Sequence, residues 1–487
     1  MNHKNIYQLN KALKEAESYP EWQKFARLHD EESGMDAWRS KESSKLYDNE
    51  EIRLRLDTLR DLRQKGDDEG LLFTLNEGIH GNMGGMGQSV LYNRALSGTK
   101  YLITDYIDEV ANALLHLADE NNTKIALPNK LDFFHRASIC FGRSALMLSG
   151  GGQLGNFHFG VLKALVKANL LPRVISGASA GSIFAALVGT TTDEELEKII
   201  ENQIFKDTIQ EEAILYEHMV EGKKASVKDL QTIIQSVIPD LTFHEAFEKT
   251  GRKINIPIAP QSAHQKSRLL NAVASPNVLI HSAVMASCAI PGIMPPVTLY
   301  AKNRNGEVQP YLPSRKWVDG SMANDLPSKR LTRLYGINHF IVSLTNPLVL
   351  PFIKDPSQQN RLFEPVRKLS TSLLKETTQF NYSIAKRFFK YFPKKVTFTA
   401  NAINSIVQQD YIGDINIFAD FNILKASKVL ATWTPEELKA IIDQGEKATW
   451  PKLEAIRVTT KIGRILDEIL EQYEHLTHPQ QELMVKP

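Results

Sequence analysis

The stretch RVISGASAGSIF, residues 173–184, decides how this chain reads. Ser179 stands between Ala178 and Ala180, with Gly177 and Gly181 two positions out. Such small residues weaken any regular element they occupy, so their concentration here needs a cause. Glycine serves where backbone bends sharply or passes close to other atoms. The five residues from Gly177 to Gly181 fit G-x-S-x-G, in which a serine sits on a strained turn between a strand and a helix. An apolar run, VIS, precedes them and a helical run, AGSIFAALVG, follows, which is the setting that pattern demands. A plain small-residue turn at a strand end is the alternative.

Working outward, SALMLSGGG is a short apolar run ending in glycines, and NFHFGVLKALVKANLL after it has helical spacing. Strand, glycine turn and helix thus occur twice in succession, the pattern of a mainly parallel sheet covered by helices on both faces. Further strands are expected at KINIPIAP, NVLIHSAV, RKWVDG and HFIVSLT, with the sheet domain ending near residue 346. Upstream, IRLRLDTLRDLRQKG places Ile52, Leu56, Leu59 and Leu62 near one face before Gly66 stops the helix. IHGNMGGMGQS then breaks the pattern as a loop, and LITDYIDEVANALLHLAD resumes it. Near the C-terminal end, Thr434 and Glu437 have capping-box spacing ahead of closing helices. The expected organisation is an α-helical region over 1–140, an α/β domain over 141–346 and a helical extension over 347–487.

At 487 residues the chain exceeds a single hydrophobic core. Its 58 basic and 56 acidic side chains give no overall attraction to nucleic acid. With only Cys140 and Cys288 present, a disulfide framework and a cysteine zinc site are excluded. The N-terminal segment MNHKNIYQLNKALKEAESYP lacks the apolar core of a signal peptide, and no run of apolar residues is long enough to span a bilayer. The expectation is a cytoplasmic protein that can meet a membrane peripherally.

The second glycine cluster, Gly150-Gly151-Gly152-Gln153-Leu154-Gly155, also fits the dinucleotide pattern G-x-G-x-x-G. That reading needs an acidic residue about 20 positions on to hold a ribose. None occurs from Gln153 through Thr192, and no G-K-[ST] follows for a phosphate loop. What remains is a turn presenting N–H groups at the start of a helix, suited to an oxyanion. Attack on a carbonyl by Ser179 needs such donors, so Gly150, Gly151 and Gly152 are candidates for them and the two glycine motifs explain each other. The hydroxyl also needs a base. His158, His281 and His339 fall in the sheet domain, but no spacing recommends any of them. Asp319, in WVDGS and followed by Gly320, ends an expected strand, although an ordinary Asp-Gly turn reads the same way locally.

Taken together, these segments resemble the patatin-like phospholipase family. GGGQLG stands where that family has its oxyanion loop, GASAG where it has its serine elbow, and VDGSMANDLP where it has its catalytic aspartate segment. ASCAIPGIMPPV, residues 286–297, is similar to a further stretch of the family, with Met294 where Phe is commoner. The resemblance implies a Ser-Asp dyad with Ser179 as nucleophile and Asp319 as proton acceptor, and no metal or organic cofactor. Many members carry Arg or Lys where this chain has Leu154, so oxyanion stabilisation is expected to rest on N–H groups of Gly151 and Gly152. YPEWQKFARLHDEESGMDAWR, LLFTLNEGIHGNMGG and GTKYLITDYIDEV resemble the helical domain preceding the core in intracellular triacylglycerol lipases of eukaryotic lipid droplets and their bacterial relatives. None of the 13 histidines has Asp five positions later, so the acyltransferase motif of some of those lipases is not carried over.

The expected activity is hydrolysis of acylglycerol esters, with phospholipase A action as the alternative. A non-catalytic lipid-binding protein and a nicotinamide enzyme are rivals from other classes. KRFFKYFPKK, residues 386–395, offers Lys386, Arg387, Lys390, Lys394 and Lys395 among aromatics for an anionic lipid droplet or membrane surface. A solvated basic helix face is the alternative reading.

Overall fold

The computed structural model describes residues 3–201, 227–262, 266–291, 293–321, 325–346, 412–419 and 433–477. The segment 386–395, with Lys386, Arg387, Lys390, Lys394 and Lys395, lies outside the described residues. Two compact units emerge: Met1–Ser144 with Thr332–His339 and Trp450–Pro487, and Ala145–Leu331 with Phe340–Thr449.

The first unit is helical where described, apart from the ends of two strands. Helix Asn49–Lys65 is typical of how its sequence sets its limits. The Asp48 side chain caps it by accepting from Glu51 N–H, acids fill the first turn, and Arg63 and Lys65 fill the last. Gly66, at φ 66°, ends it in the left-handed conformation that glycine adopts freely. Ile52, Leu56 and Leu59 are buried against a shared core that includes Ile103, Leu114 and Phe133. Glu109, buried in helix Tyr101–Ala118, survives there because Arg63 donates to both its oxygens at 2.6 and 3.0 Å. The long helix Leu453–Thr477 contributes Ile462, Leu466 and Ile469 to the same core, so sequence-distant segments of this unit fold together. The glycine cluster of residues 79–89, expected as a plain loop, holds a short 3-10 turn at Met83–Gly85 with Met83 buried.

The second unit carries the sheet. Its strands are β1 (Arg143–Leu148), β2 (Val174–Gly177), β3 (Lys253–Pro260), β4 (Arg268–Leu270), β5 (Leu299–Lys302), β6 (Val308–Tyr311), β7 (Trp317–Asp319), β8 (Ile337–Leu344) and β9 (Ile415–Phe418). Seven of them form one sheet in the order β4-β3-β2-β1-β8-β9, with β7 also on β3, while β5 and β6 make a separate antiparallel hairpin. β1 with β2, β2 with β3, and β8 with β9 are parallel; β4 and β7 run antiparallel to β3. All four residues of β2 are buried, as expected of a parallel strand covered on both faces. Helix Ala180–Thr190, which follows β2, is buried at every position and lacks a polar stripe for that reason.

Two expectations need correction. NVLIHSAV is not a strand; most of it belongs to helix Ile280–Ser287, buried throughout. A short apolar run with no polar face has no readable period, so strand and buried helix look alike in sequence. Nor does the sheet stop near residue 346, because β9 adds to β8 in parallel register far downstream. By contrast, the Thr434 capping box forms as read, with reciprocal bonds to Glu437 of 3.1 and 3.2 Å.

Candidate active site

Ser179 sits between the end of β2 and the first residue of helix Ala180–Thr190, at φ 49° and ψ −124°. A non-glycine residue there stores roughly 1–3 kcal/mol of backbone strain and persists only where its surroundings fix it. Its neighbours show how. A Cβ on Gly177 would collide with the Gly181 carbonyl, and one on Gly181 with the Leu148 carbonyl of β1. The elbow is therefore wedged against its own helix and the adjacent strand. Gly155 lets the glycine loop press on the elbow as well, since a Cβ there would come within 2.5 Å of Ala180 Cβ. Ser179 N–H donates to Ser287 Oγ at 2.9 Å, and Ser287 donates in turn to the Pro257 carbonyl of β3 at 2.9 Å.

Asp319 ends β7, in register with Ile258 of β3, and is 3% exposed. Its carboxylate accepts from Ser321 N–H at 2.8 Å, and the hydroxyls of Ser179 and Ser321 lie close enough to favour its charged form. Burial pushes the carboxyl up to about 6, although these donors pull it the other way. Gly320 packs on the Pro257 carbonyl. Asp319 N–H donates to the Ala289 carbonyl at 3.0 Å. The segment from Ser287 to Ala289 thus holds the backbone of both Ser179 and Asp319, which are far apart in sequence.

The glycine loop is pinned at its first residue. Gly150 N–H donates to Asp325 Oδ1 at 2.7 Å, and its carbonyl accepts from Ser149 Oγ at 3.1 Å and Thr345 Oγ1 at 3.3 Å. The Gly150 N–H is thereby committed to Asp325, which corrects its place among the candidate oxyanion donors. Because a trans peptide points its C=O and N–H in opposite directions, anchoring the Gly150 carbonyl inward aims the Gly151 N–H away from that anchor. A Cβ on Gly151 would collide with Thr345 Oγ1. Gly152, at φ 55°, opens a 3-10 turn through Asn156. Among the described residues the N–H groups of Gly151, Gly152 and Ala180 have no hydrogen-bond acceptor.

The histidines are occupied elsewhere. His158 is fully buried: its Nε2–H donates to the Ser149 carbonyl at 2.9 Å and its Nδ1 accepts from Ser343 Oγ at 2.7 Å. Burial drives it down to about 4, so it is neutral near pH 7. His281 donates to Asp240 at 3.0 Å, and His339 pairs with Ser144 Oγ at 3.0 Å. Sequence reasoning passed over Ser287, Asp325 and the Ala180 N–H. The first two lie in segments singled out in the sequence, and the third is the residue after the elbow serine, a donor the motif itself supplies.

Residues 146–331 match the model described as patatin-like phospholipase, and residues 1–139 match one described as a domain of unknown function, DUF3336. Triacylglycerol lipase ptl3 of Schizosaccharomyces pombe is 32% identical over 458 residues, covering 91% of this chain and 92% of that protein. The chain belongs to the patatin-like phospholipase family. Triacylglycerol lipase SDP1L of Arabidopsis thaliana is 32% identical, covering 95% of this chain and 58% of that protein. Triacylglycerol lipase 4 of Saccharomyces cerevisiae is 35% identical, covering 91% and 50% respectively. The chain therefore spans about half the length of those two relatives. Within the stretch matched to the patatin-like model lie Ser179, Asp319 and the loop from Gly150 to Gly155.

Proposed function

We propose that this patatin-like protein is a serine hydrolase of acylglycerol esters, with Ser179 as nucleophile and Asp319 as its direct proton acceptor. The observation that carries the reading is the strained Ser179 beside the buried Asp319 carboxylate, their backbones held by one segment, Ser287 to Ala289. Asp319 takes the hydroxyl proton as Ser179 Oγ attacks the ester carbonyl. The developing oxyanion faces N–H groups of Gly151 and Gly152, with Ala180 N–H alongside. The alcohol leaves with the proton from Asp319, and water activated by the same carboxylate releases the fatty acid from the acyl-enzyme. A carboxyl near 6 is a stronger base than an ordinary aspartate, yet it is ionised at neutral pH. Acylglycerol is favoured as substrate because relatives matching along nearly the whole chain are named triacylglycerol lipases. The proposed setting is a lipid droplet or membrane surface met peripherally from the cytoplasm.

The test is hydrolysis of a long-chain triacylglycerol emulsion together with covalent labelling by a fluorophosphonate. Wild type should release fatty acid and label at Ser179, and Ser179→Ala should do neither. Faster release from phosphatidylcholine than from triacylglycerol would redirect the substrate assignment to phospholipids while leaving the nucleophile intact.

A further inference from the structure

Charge is unevenly distributed along this nearly neutral chain. Residues 249–354 carry thirteen Lys and Arg against three Asp and Glu, so the remainder is net acidic. Two of those three acids, Asp319 and Asp325, are buried in the site. Lys249, Arg252 and Lys302 are paired with Glu195, Asp193 and Glu245. Lys266, Arg268, Arg315, Lys316, Lys329 and Arg330 form no ion pair among the described residues.

The fold brings together the three segments that carry those six. Arg268 on β4 and Asp319 on β7 are both in register with Ile258 of β3, one on each side of it. In-register residues of neighbouring strands share a sheet face, so Arg268 lies on the same face as Asp319, about 10 Å away across two strand spacings. Its guanidinium stands 5.5 Å from the Trp317 ring centroid. Lys316 precedes that tryptophan, and its carbonyl accepts from Gln261 N–H at the end of β3. Arg330 donates to the carbonyl and hydroxyl of Ser267, both at 2.9 Å, bringing the third segment in. Lys329 and Arg330 stand in the first turn of helix Ser328–Tyr335, where the helix dipole disfavours cations.

We propose that the end of the sheet carrying residues 266–268, 314–316 and 328–330 docks the protein on an anionic lipid surface. Like charges gathered without an ion-pair partner among the described residues are unfavourable by themselves, and a negative surface removes that repulsion. Six cations spread over three segments fit an extended sheet of headgroups better than one small anion. Docking there sets the edge of the site carrying Asp319 against the surface that would supply an ester.

The measurement is co-sedimentation with vesicles of phosphatidylcholine plus phosphatidylserine and with vesicles of phosphatidylcholine alone, in a Ser179→Ala background. No ester need be cleaved, so the docking result stands or falls independently of the hydrolase reading. The protein should partition onto the anionic vesicles and be released by salt. Each cation near such a surface is worth roughly fivefold in partitioning, so Lys266→Gln, Lys316→Gln and Lys329→Gln together should weaken it about a hundredfold. Replacing Lys4, Lys11 and Lys24 by Gln removes as much charge and should leave partitioning unchanged. The thermal midpoint should be that of the background; if the triple variant folds poorly, the three single variants should each show the fivefold loss. Equal binding to both vesicle types, or a triple variant that partitions undiminished, overturns the proposal. So does a wild type that is retained by nucleic acid but not by anionic vesicles.

Discussion

Around His158 and around Asp319 the same unit buries a titratable side chain, and burial drives the two in opposite directions. It disfavours whichever form is charged, so the imidazole falls to about 4 and the carboxyl rises to about 6. What distinguishes the regions is the bonding left over. Both nitrogens of His158 are engaged by Ser149 and Ser343, groups of the scaffold itself. Asp319 instead has beside it the hydroxyl of Ser179, whose strained backbone holds it at the start of a helix. A perturbed pKa alone does not mark a base. A perturbed group beside a strained serine is the better candidate.

The sharpest way to break this comparison is Asp319→Asn. Ester hydrolysis should fall by about 10³-fold or more, on the scale of losing a base that orients and deprotonates a serine. Stability should move the other way. The Asp319 carboxyl has its folded value raised, so the folded state favours the proton and the penalty on ionisation appears as pH rises from about 4 to about 6. The thermal midpoint of Asp319→Asn should therefore exceed that of wild type above pH 6, with the gap closing as pH falls towards 4. In wild type, kcat/KM should rise with pH through about 6 and then level off. A variant that is both inactive and less stable at pH 8 would contradict this account of the site.

Asp325→Ala comes next. It leaves the Gly150 N–H without its partner and frees the loop that aims the Gly151 N–H. Loss of one well-placed oxyanion donor costs about 10²-fold in kcat. KM for a soluble ester should change little, and Asp325→Asn, which keeps an acceptor oxygen, should recover much of the rate. Equal damage by both substitutions, with KM rising, would assign Asp325 to general packing.

His158→Asn sharpens the contrast from the other side. It should cost about 1–3 kcal/mol by leaving buried partners unsatisfied, and show as a lower thermal midpoint. The rise of kcat/KM near pH 6 should keep its midpoint, because that limb belongs to Asp319. A shifted limb would bring His158 into the chemistry.

These contrasts also show what sequence can carry. The elbow and the glycine loop were legible because close approaches leave no room for a Cβ at Gly177, Gly181 and Gly155, and the constraint is written in the residue type itself. The β-α alternation was legible for β1, β2 and β3, whose apolar runs are bounded by glycine or proline. Helix Ile280–Ser287 was not, since complete burial erases the amphipathic signal. β9 was missed because its partner, β8, is far away in sequence and a four-residue strand carries almost no pattern. At the site, Asp325 and Ser287 act through bonds to backbone atoms, and a backbone partner leaves no trace in composition or spacing.

Ser287→Ala should have the smallest effect of these substitutions and tests how the two regions are joined. The hydroxyl accepts from Ser179 N–H and donates to the Pro257 carbonyl, so its removal leaves one donor and one acceptor unsatisfied in a fully buried place. Ala keeps the volume nearly filled, and Ser179 remains wedged by Gly177 and Gly181. A neutral hydrogen bond contributes about 1 kcal/mol, close to fivefold in rate if the elbow relaxes only partly. The loss should appear in fluorophosphonate labelling of Ser179 as well as in turnover, because both depend on where its oxygen points. If labelling stays at the wild-type rate while turnover falls, the hydroxyl acts after acylation, and the strain at Ser179 is then held by the glycine contacts alone.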